Sequence, residues 1–345
     1  MIYEAFNENT EDLNNTEKLK SIFVENGYLY FKNLINKRKI EEVKRDINQV
    51  LKENRHIDGD INEDPKWSKN KKESGLQHQA GSEENYKIAN LKSVKEILYT
   101  EEIIEVLERL AGGEIISWAD NCDRVRIMLP GESVVKVAGQ YASTVTPMHQ
   151  DHFYLRLPGG KKATFYNVWV PLMDIDEDVG GIALTKNTHN KGFYKSLFHN
   201  GRHLGIPPNR KIFNEWVDSG AAVIDGDIEH DGDFKWLRSD YHTGDLLIFS
   251  PMMIHKGLLN TSDKIRLSLD VRYQKKDTQF MWRAEHRLEH SFKFFAKVRQ
   301  NLKDLQISGS EADRIMFGPK GICIEGPNIE DIKDRIKKIV EAQNN

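Results

Sequence analysis

The sequence predicts a mainly β protein with flanking α-helices, its core a sandwich or barrel spanning roughly residues 114–275. Three observations carry that reading. Hydrophobic periodicity is helical before residue 113, changes to short runs of β-branched and aromatic residues afterwards, and becomes helical again beyond Gln279. Turn residues such as Pro130-Gly131, Pro158-Gly159-Gly160, Gly180-Gly181 and Thr243-Gly244-Asp245 separate the short runs. The length of 345 residues allows one large elaborated domain or two small ones, and no internal repeat is visible; a single domain over 1–345 is the expectation.

The N-terminal part, residues 1–113, reads as a helical elaboration. Glu11 to Glu25 has apolar positions at helical spacing, Gly27-Tyr28-Leu29-Tyr30-Phe31 is strand-like, and Ile40, Val43, Ile47 and Leu51 line one helix face. Residues 54–85 are polar and aperiodic, which predicts a loop or lid. Val94 to Leu110 predicts one helix, stopped by Gly112-Gly113. The core strands are predicted at Val125–Leu129, Val134–Val137, Thr164–Leu172, Gly181–Leu184, Ala221–Ile224, Leu246–Phe249 and Ile265–Tyr273. Residues 190–240 form a long polar insertion with Trp216 and Trp236, of the kind that shapes substrate access. Residues 276–345 supply C-terminal helices, at Phe280 to Leu305 and Ile329 to Ala342. Phe280, Phe292, Phe294 and Phe295 read as packing residues.

Composition removes several classes. The charge of −3, from 50 basic and 53 acidic residues, is dispersed, so nucleic acid is not an expected partner. The longest apolar stretch, Leu246 to Ile254, is far below the ~20 residues of a membrane span, and no membrane partner is expected. Cys122 and Cys323 are too few for a disulfide framework or thiolate zinc site, and the acidic N-terminus lacks an apolar signal region. The expectation is a reduced, cytoplasmic protein, monomer or homodimer, with a small-molecule substrate.

The chemistry is concentrated in Pro147-Met148-His149-Gln150-Asp151. On a strand, His149 and Asp151 would project from one face and supply an imidazole and a carboxylate to one metal. His255, at the end of the apolar run Leu246 to Ile254, is the best third ligand. Two histidines and one carboxylate leave three positions open, the pattern of non-haem Fe(II) oxygenases. His-x-Asp alone is a weak signal: His56-Ile57-Asp58 repeats it in the polar stretch, and a polar pair satisfied within a sheet is the competing reading.

Eleven residues beyond His255 stands Arg266, on a strand where Arg266, Ser268 and Asp270 share one face and Ile265, Leu267 and Leu269 the other. A buried guanidinium needs an anion, best a carboxylate gripped by two N–H groups, with the Ser268 hydroxyl beside it. A dicarboxylate held there can chelate iron through a 2-oxo acid at its other end. An arginine on an exposed edge strand is the alternative.

Taken together, His149-Gln150-Asp151, Trp169-Val170-Pro171-Leu172 with Asp174, Gly180-Gly181, Gly244-Asp245 before His255, and Arg266-x-Ser268 resemble the phytanoyl-CoA dioxygenase family of 2-oxoglutarate oxygenases. The resemblance runs from the Gly27-Tyr28 strand to about Gln274. It implies a double-stranded β-helix (jelly-roll, cupin-like) core. It implies His149, Asp151 and His255 as ligands of Fe(II), Arg266 on the distal carboxylate of 2-oxoglutarate, and O2 as the oxidant. Trp169 matches a tryptophan lining the co-substrate pocket, with Asn167 two residues before it. The implied reaction is hydroxylation of a C–H bond with release of succinate and CO2. Halogenating relatives carry a small residue in place of the carboxylate, so Asp151 favours hydroxylation.

One departure stands out. The family often has Pro-Gly-Ser-His after the Gly-Gly strand, where this chain has Lys186-Asn187-Thr188-His189. His152, Tyr154 and Arg156 are candidates to line the substrate pocket. The acidic run Asp225 to Asp233 lacks the frame and terminal glutamate of a calcium loop and reads as a hairpin tip. A metal-dependent hydrolase using the same ligands and a non-catalytic binding barrel remain as alternatives.

Overall fold

The computed structural model describes residues 2–69, 83–117, 125–131, 134–137, 140–143, 150–151, 165–191, 195–196, 228–229, 234–278, 297–298, 300–307 and 332–344. The helices are α1 (Thr16–Asn26), α2 (Lys37–Glu53), α3 (Glu83–Ala89), α4 (Lys92–Ile97), α5 (Glu101–Ala111) and α6 (Ile332–Asn344). The strands are β1 (Tyr3–Glu4), β2 (Tyr28–Phe31), β3 (Ile115–Ser117), β4 (Val125–Met128), β5 (Val134–Val137), β6 (Gln140–Ser143) and β7 (Phe165–Pro171). They continue with β8 (Gly181–Thr185), β9 (Lys195–Ser196), β10 (Ile228–Glu229), β11 (Trp236–Leu237), β12 (Leu246–Phe249), β13 (His255–Leu258) and β14 (Arg266–Lys275).

The strands form the two main sheets of a double-stranded β-helix. The larger has the order β2-β12-β7-β14-β3, with β4 also on β14; the smaller has the order β1-β11-β8-β13. Successive strands alternate between sheets: β7 lies in the larger, β8 in the smaller, β12 in the larger, β13 in the smaller and β14 in the larger. Two further antiparallel pairs, β5 with β6 and β9 with β10, lie outside them.

The register of the larger sheet sorts its side chains. Trp169 is opposite Asp270 on β14 and Leu247 on β12, while Asn167 is opposite Arg272 and Phe249. Directly opposed residues share a sheet face. Asn167, Trp169, Ser268, Asp270 and Arg272 therefore face one way. Val168, Val170, Leu267, Leu269, Val271 and Tyr273 face the other and join the main hydrophobic core with helices α2 and α5. That core includes Ile40, Val43, Ile47, Val50 and Leu51 of α2, the stripe its spacing predicts. The apolar face is thus spent on attaching the helices, and the polar face is left for the interior.

The turn before β12 is held by a buried latch. Asp245 accepts from the Tyr30 hydroxyl (2.5 Å), the Asn33 amide (3.0 Å) and the His242 amide (2.9 Å). Burial raises the Tyr30 hydroxyl far above its ordinary range, and the Asp245 carboxylate adds to the rise, so the phenol stays a donor. These bonds tie β2 to the strand it pairs with, Leu247 being opposite Tyr30.

Several expectations need adjusting. The single helix over 94–110 is two: amide bonds from Tyr99 to Glu96 and from Thr100 to Ile97 close α4. Thr100 is extended, and α5 restarts with Glu101 and Glu102 in its first turn, where acidic charge suits the helix dipole. Gly112 ends α5 in the left-handed conformation its sequence announces. His255 does not end the apolar run; β12 stops at Phe249, and Ser250 to Ile254 turn the chain so that His255 opens β13 in the other sheet. Pro251 has no N–H for a ladder, and the Met253 amide closes back on the Ser250 carbonyl (2.9 Å). Trp236 belongs to β11 and is buried in the smaller sheet rather than in a polar insertion. Residues 54–69 are packed on the barrel, with Trp67 N bonded to Asp263 O (2.9 Å), Ile265 N to Pro65 O (2.7 Å), and Asp64 between Lys44 and Lys264. The predicted strand Ala221–Ile224 and most of the helix Phe280–Leu305 lie outside the described residues. Among the described residues no helix is long and apolar enough to cross a membrane.

Asp245→Ala leaves three donors without their acceptor, one of them a buried hydroxyl. The expected loss is about 2–4 kcal/mol of unfolding free energy, seen as a lower urea midpoint at unchanged slope.

Candidate active site

His255 and Asp151, a hundred residues apart in sequence, meet in the interior: His255 Nε2 lies 3.8 Å from Asp151 Oδ1, both side chains being almost fully buried. The same turn positions both. Gln150 donates from Nε2 to the Met252 carbonyl (2.6 Å), and His255 Nδ1 lies 3.1 Å from the Met253 carbonyl. A carbonyl accepts only, so Nδ1 carries a proton, and Nε2 is the nitrogen that faces Asp151. The Phe249 ring stands edge-on to His255 at 4.9 Å and fixes its plane. The middle residue of His149-Gln150-Asp151 thus anchors the motif. Neither Gln150 nor Asp151 is in a strand, so strand parity does not explain how the carboxylate is aimed. His149 itself lies outside the described residues, and among those described no group of three potential ligands gathers.

These two groups fit a metal ion. Donors each about 2.1 Å from one cation can be no more than ~4.2 Å apart, and the 3.8 Å gap meets that limit. An imidazole nitrogen with a carboxylate oxygen suits a borderline divalent ion such as Fe(II).

The second feature is Arg266. Its Nη1 donates to the carbonyls of Gly181 (2.9 Å) and Leu258 (3.3 Å), but among the described residues no carboxylate neutralises it. Its Nε, the Ser268 hydroxyl and both amide atoms of Asn167 are buried without a hydrogen-bond partner among the described residues. Burial, with the charge of Arg126 adding, lowers Arg266 to about 10. A desolvated cation with the orphaned Ser268 hydroxyl two residues along its strand is costly unless an anion completes it. Asn167, by contrast, is opposite Arg272 at the other end of that strand face. Gly180 and Gly181 allow this crowding: both have positive φ (91° and 103°), and a Cβ on Gly180 would meet the Leu259 carbonyl at 2.6 Å. Trp169 lies 4.6 Å from the Tyr241 ring, centroid to centroid, and the Tyr241 hydroxyl bonds the Ile182 carbonyl (2.6 Å) next to Gly181.

The Lys186-Asn187-Thr188-His189 turn is tightly held. Asn187, where the family has glycine, has φ +60°, a conformation asparagine tolerates better than most residues. Thr188, where the family has serine, accepts from the Ile254 amide (3.0 Å) and pairs with the Thr185 hydroxyl (2.8 Å). Thr185 in turn bonds the Ile254 carbonyl through N (2.9 Å) and Oγ1 (3.0 Å). The turn therefore grips the residue just before His255. His189 points elsewhere, its Nε2 at 2.9 Å from the Val24 carbonyl at the end of α1.

A chain of charges that sequence reasoning left without a role runs along β14. Arg126 Nε reaches Asp270 Oδ2 (3.0 Å), Asp270 Oδ1 takes Arg272 Nη1 (3.1 Å), and Arg272 Nε and Nη2 reach Asp151 Oδ2 (3.2 and 2.8 Å). Burial would raise the Asp270 carboxyl, but Arg272 and Arg126 outweigh it and hold it below the ordinary carboxylate range. Asp270 and Arg272 share the parity of Arg266, which was the available signal. The second His-x-Asp behaves differently: His56 is buried against Glu84 (3.4 Å) and Asp58 is exposed, so the pair does not converge. His152, Tyr154, Arg156 and Trp216 lie outside the described residues, as does most of the 225–233 run, of which Ile228–Glu229 pairs with β9.

A double-stranded β-helix carrying an interior imidazole–carboxylate pair and a buried arginine is the architecture of the iron- and 2-oxoglutarate-dependent oxygenases. The sequence profile of the phytanoyl-CoA dioxygenase family matches residues 23–268, and the chain belongs to that family. Two relatives, each named 1-deoxypentalenic acid 11-beta-hydroxylase, are 32% identical over 136 residues (Streptomyces exfoliatus) and 33% identical over 141 residues (Streptomyces arenae). Each match spans 38% of this chain and 42% of the relative, under half of either protein. Among solved structures, the epimerase SnoN in complex with Fe3+, alpha-ketoglutarate and nogalamycin RO aligns at 15% identity and TM-score 0.48, over 78% of this chain and 86% of that one.

The turn reading predicts opposite behaviour for two substitutions at Asn187. Asn187→Gly is expected to stay within ~0.5 kcal/mol of the parent in thermal unfolding. Asn187→Val, β-branched in a left-handed position, is expected to lose about 1–3 kcal/mol.

Proposed function

We propose that this protein is a 2-oxoglutarate-dependent dioxygenase that hydroxylates a C–H bond of a small-molecule metabolite, releasing succinate and CO2. In this reading His149, Asp151 and His255 hold Fe(II), and Arg266 holds the distal carboxylate of 2-oxoglutarate with help from Ser268, while Asn167, opposite Arg272, lines the Asp151 end of the same sheet face. Trp169 closes the pocket against Tyr241. The observation that carries the reading is Arg266: a buried guanidinium paired with no carboxylate among the described residues, two residues from the orphaned Ser268 hydroxyl on the same strand face, calls for an anionic ligand. Leu258, which touches Arg266, lies three residues from His255 on β13, about 10 Å along the strand. That separation suits a short dicarboxylate gripped at one end by arginine and chelated at the other.

When bound, the iron and 2-oxoglutarate supply the oxidising chemistry, coupling O2 reduction to decarboxylation. The chain's own groups bind and orient. The Nδ1 bond to the Met253 carbonyl presents Nε2 of His255, and Gln150 holds the backbone of Asp151. The Arg266 guanidinium fixes the co-substrate in one pose, and buried aromatic walls keep bulk water out. A carboxylate at 151 favours hydroxylation over halogenation, and the hydroxylase names of the two relatives point the same way. We place the reaction in the cytoplasm, with two distant cysteines suiting a reduced compartment.

Anaerobic addition of Fe(II) and 2-oxoglutarate is expected to produce the visible charge-transfer absorbance of the chelate, and air to yield succinate. His149→Ala and Arg266→Ala should each abolish both signals; variants that retain both would overturn the assignment. Arg266→Met removes a desolvated charge, so the ligand-free variant should be at least as stable as the parent within ~1 kcal/mol. It should lose the melting-temperature increase that saturating 2-oxoglutarate gives the parent.

A further inference from the structure

The carboxylate of Asp151 is held asymmetrically. Both the Nε and Nη2 bonds of Arg272 converge on one oxygen, Oδ2, at 3.2 and 2.8 Å. The usual arginine–carboxylate pair is a fork-to-fork contact that occupies both oxygens. Here the second oxygen, Oδ1, is the one that faces His255 Nε2 at 3.8 Å. Arg272 is itself prevented from turning into the fork-to-fork pose, because Nη1 is bound to Asp270 Oδ1 (3.1 Å). Asp270 is pinned from its far side by Nε and Nη2 of Arg126, each 3.0 Å from Oδ2. Asp270 and Arg272 are neighbours of one parity on β14, so the sheet register sets the spacing of the clamp.

We propose that Arg272, locked by Asp270, is a positioning residue that keeps Oδ2 of Asp151 occupied, so that the carboxylate offers only Oδ1 to the metal. This rests on the reading of Asp151 as an iron ligand. Its chemical consequence follows from counting positions. An octahedral ion with two imidazoles and one carboxylate oxygen keeps three positions for a chelating 2-oxo acid and O2. A carboxylate binding through both oxygens would take one of the three. Holding one oxygen in a charge-assisted pair prevents that, while the guanidinium keeps the carboxylate in one rotamer.

The test uses the full-length chain carrying Arg272→Gln, Arg272→Lys or Asp270→Asn. Mn(II) affinity is read by the electron paramagnetic resonance of free Mn(II). The anaerobic Fe(II)–2-oxoglutarate absorbance and the succinate formed without added substrate are followed beside it. Arg272→Gln is expected to weaken metal binding 10–100-fold, to shift or broaden the charge-transfer band, and to keep its circular-dichroism spectrum. Arg272→Lys retains charge but not the two-pronged grip and should recover part of the affinity. Asp270→Asn, which never touches Asp151, should move the band in the same direction by a smaller amount. If Arg272→Gln does not fold, the Lys and Asn variants carry the test through the band position, which a purely structural contact would leave unmoved. Variants with parental metal affinity and an unshifted band would overturn the inference while the function stands. A parent chain that itself gives no chelate absorbance would overturn both.

Discussion

Strand β14 has to serve two surfaces at once, and antiparallel pairing with β7 is what keeps them apart. Leu267, Leu269, Val271 and Tyr273 lie in the core that holds the helices, while Arg266, Ser268, Asp270 and Arg272 turn to the barrel interior. A slip of one residue in register would exchange the two sets, burying four polar side chains among the helices and exposing the apolar ones to the site. Seven paired positions from Ser268–Pro171 to Gln274–Phe165 resist that slip. Everything functional in the molecule depends on that register holding.

From it follows a division of labour between sheets. The larger sheet supplies the arginines, and the smaller supplies His255 at the start of β13. What aligns them is the turn Ser250 to Ile254. That turn is gripped by Gln150 at Met252 and by Thr185 and Thr188 at Ile254. The Gln150-Asp151 segment and the end of β8 are thereby referenced to one short piece of backbone. Such support is what holds donor groups within tenths of an ångström of a working geometry.

The buried charges show how unevenly the interior treats its polar groups. Arg272, Asp270 and Arg126 satisfy one another in series. Arg266 does not: it has carbonyls on one nitrogen and an orphaned Nε. In a folded chain, such unevenness is informative, because unpaired buried charge survives only where something repays its desolvation. The contrast separates the mutually paired charges from Arg266, for which a ligand is proposed.

Much of this was legible in the chain itself. Period-two alternation over 266–274 and apolar runs at 28–31, 125–128, 165–171 and 246–249 locate the main strands, because side-chain period is a local property of the backbone. The order of His149-Gln150-Asp151, Gly180-Gly181, Gly244-Asp245, His255 and Arg266-x-Ser268 identifies the family. The two-residue strands β1 and β11 left no periodic trace, being too short to have a period. That His255 opens a strand rather than closing one depended on where the Ser250-Pro251 turn folds back. Which oxygen of Asp151 is held, and by which arginine, is a matter of ångströms between residues 121 positions apart. Sequence determined the kinds of groups and the faces they occupy. Only the packing of two sheets against each other decided which of them touch, because contact between distant segments is set by register and turn geometry that no local pattern encodes.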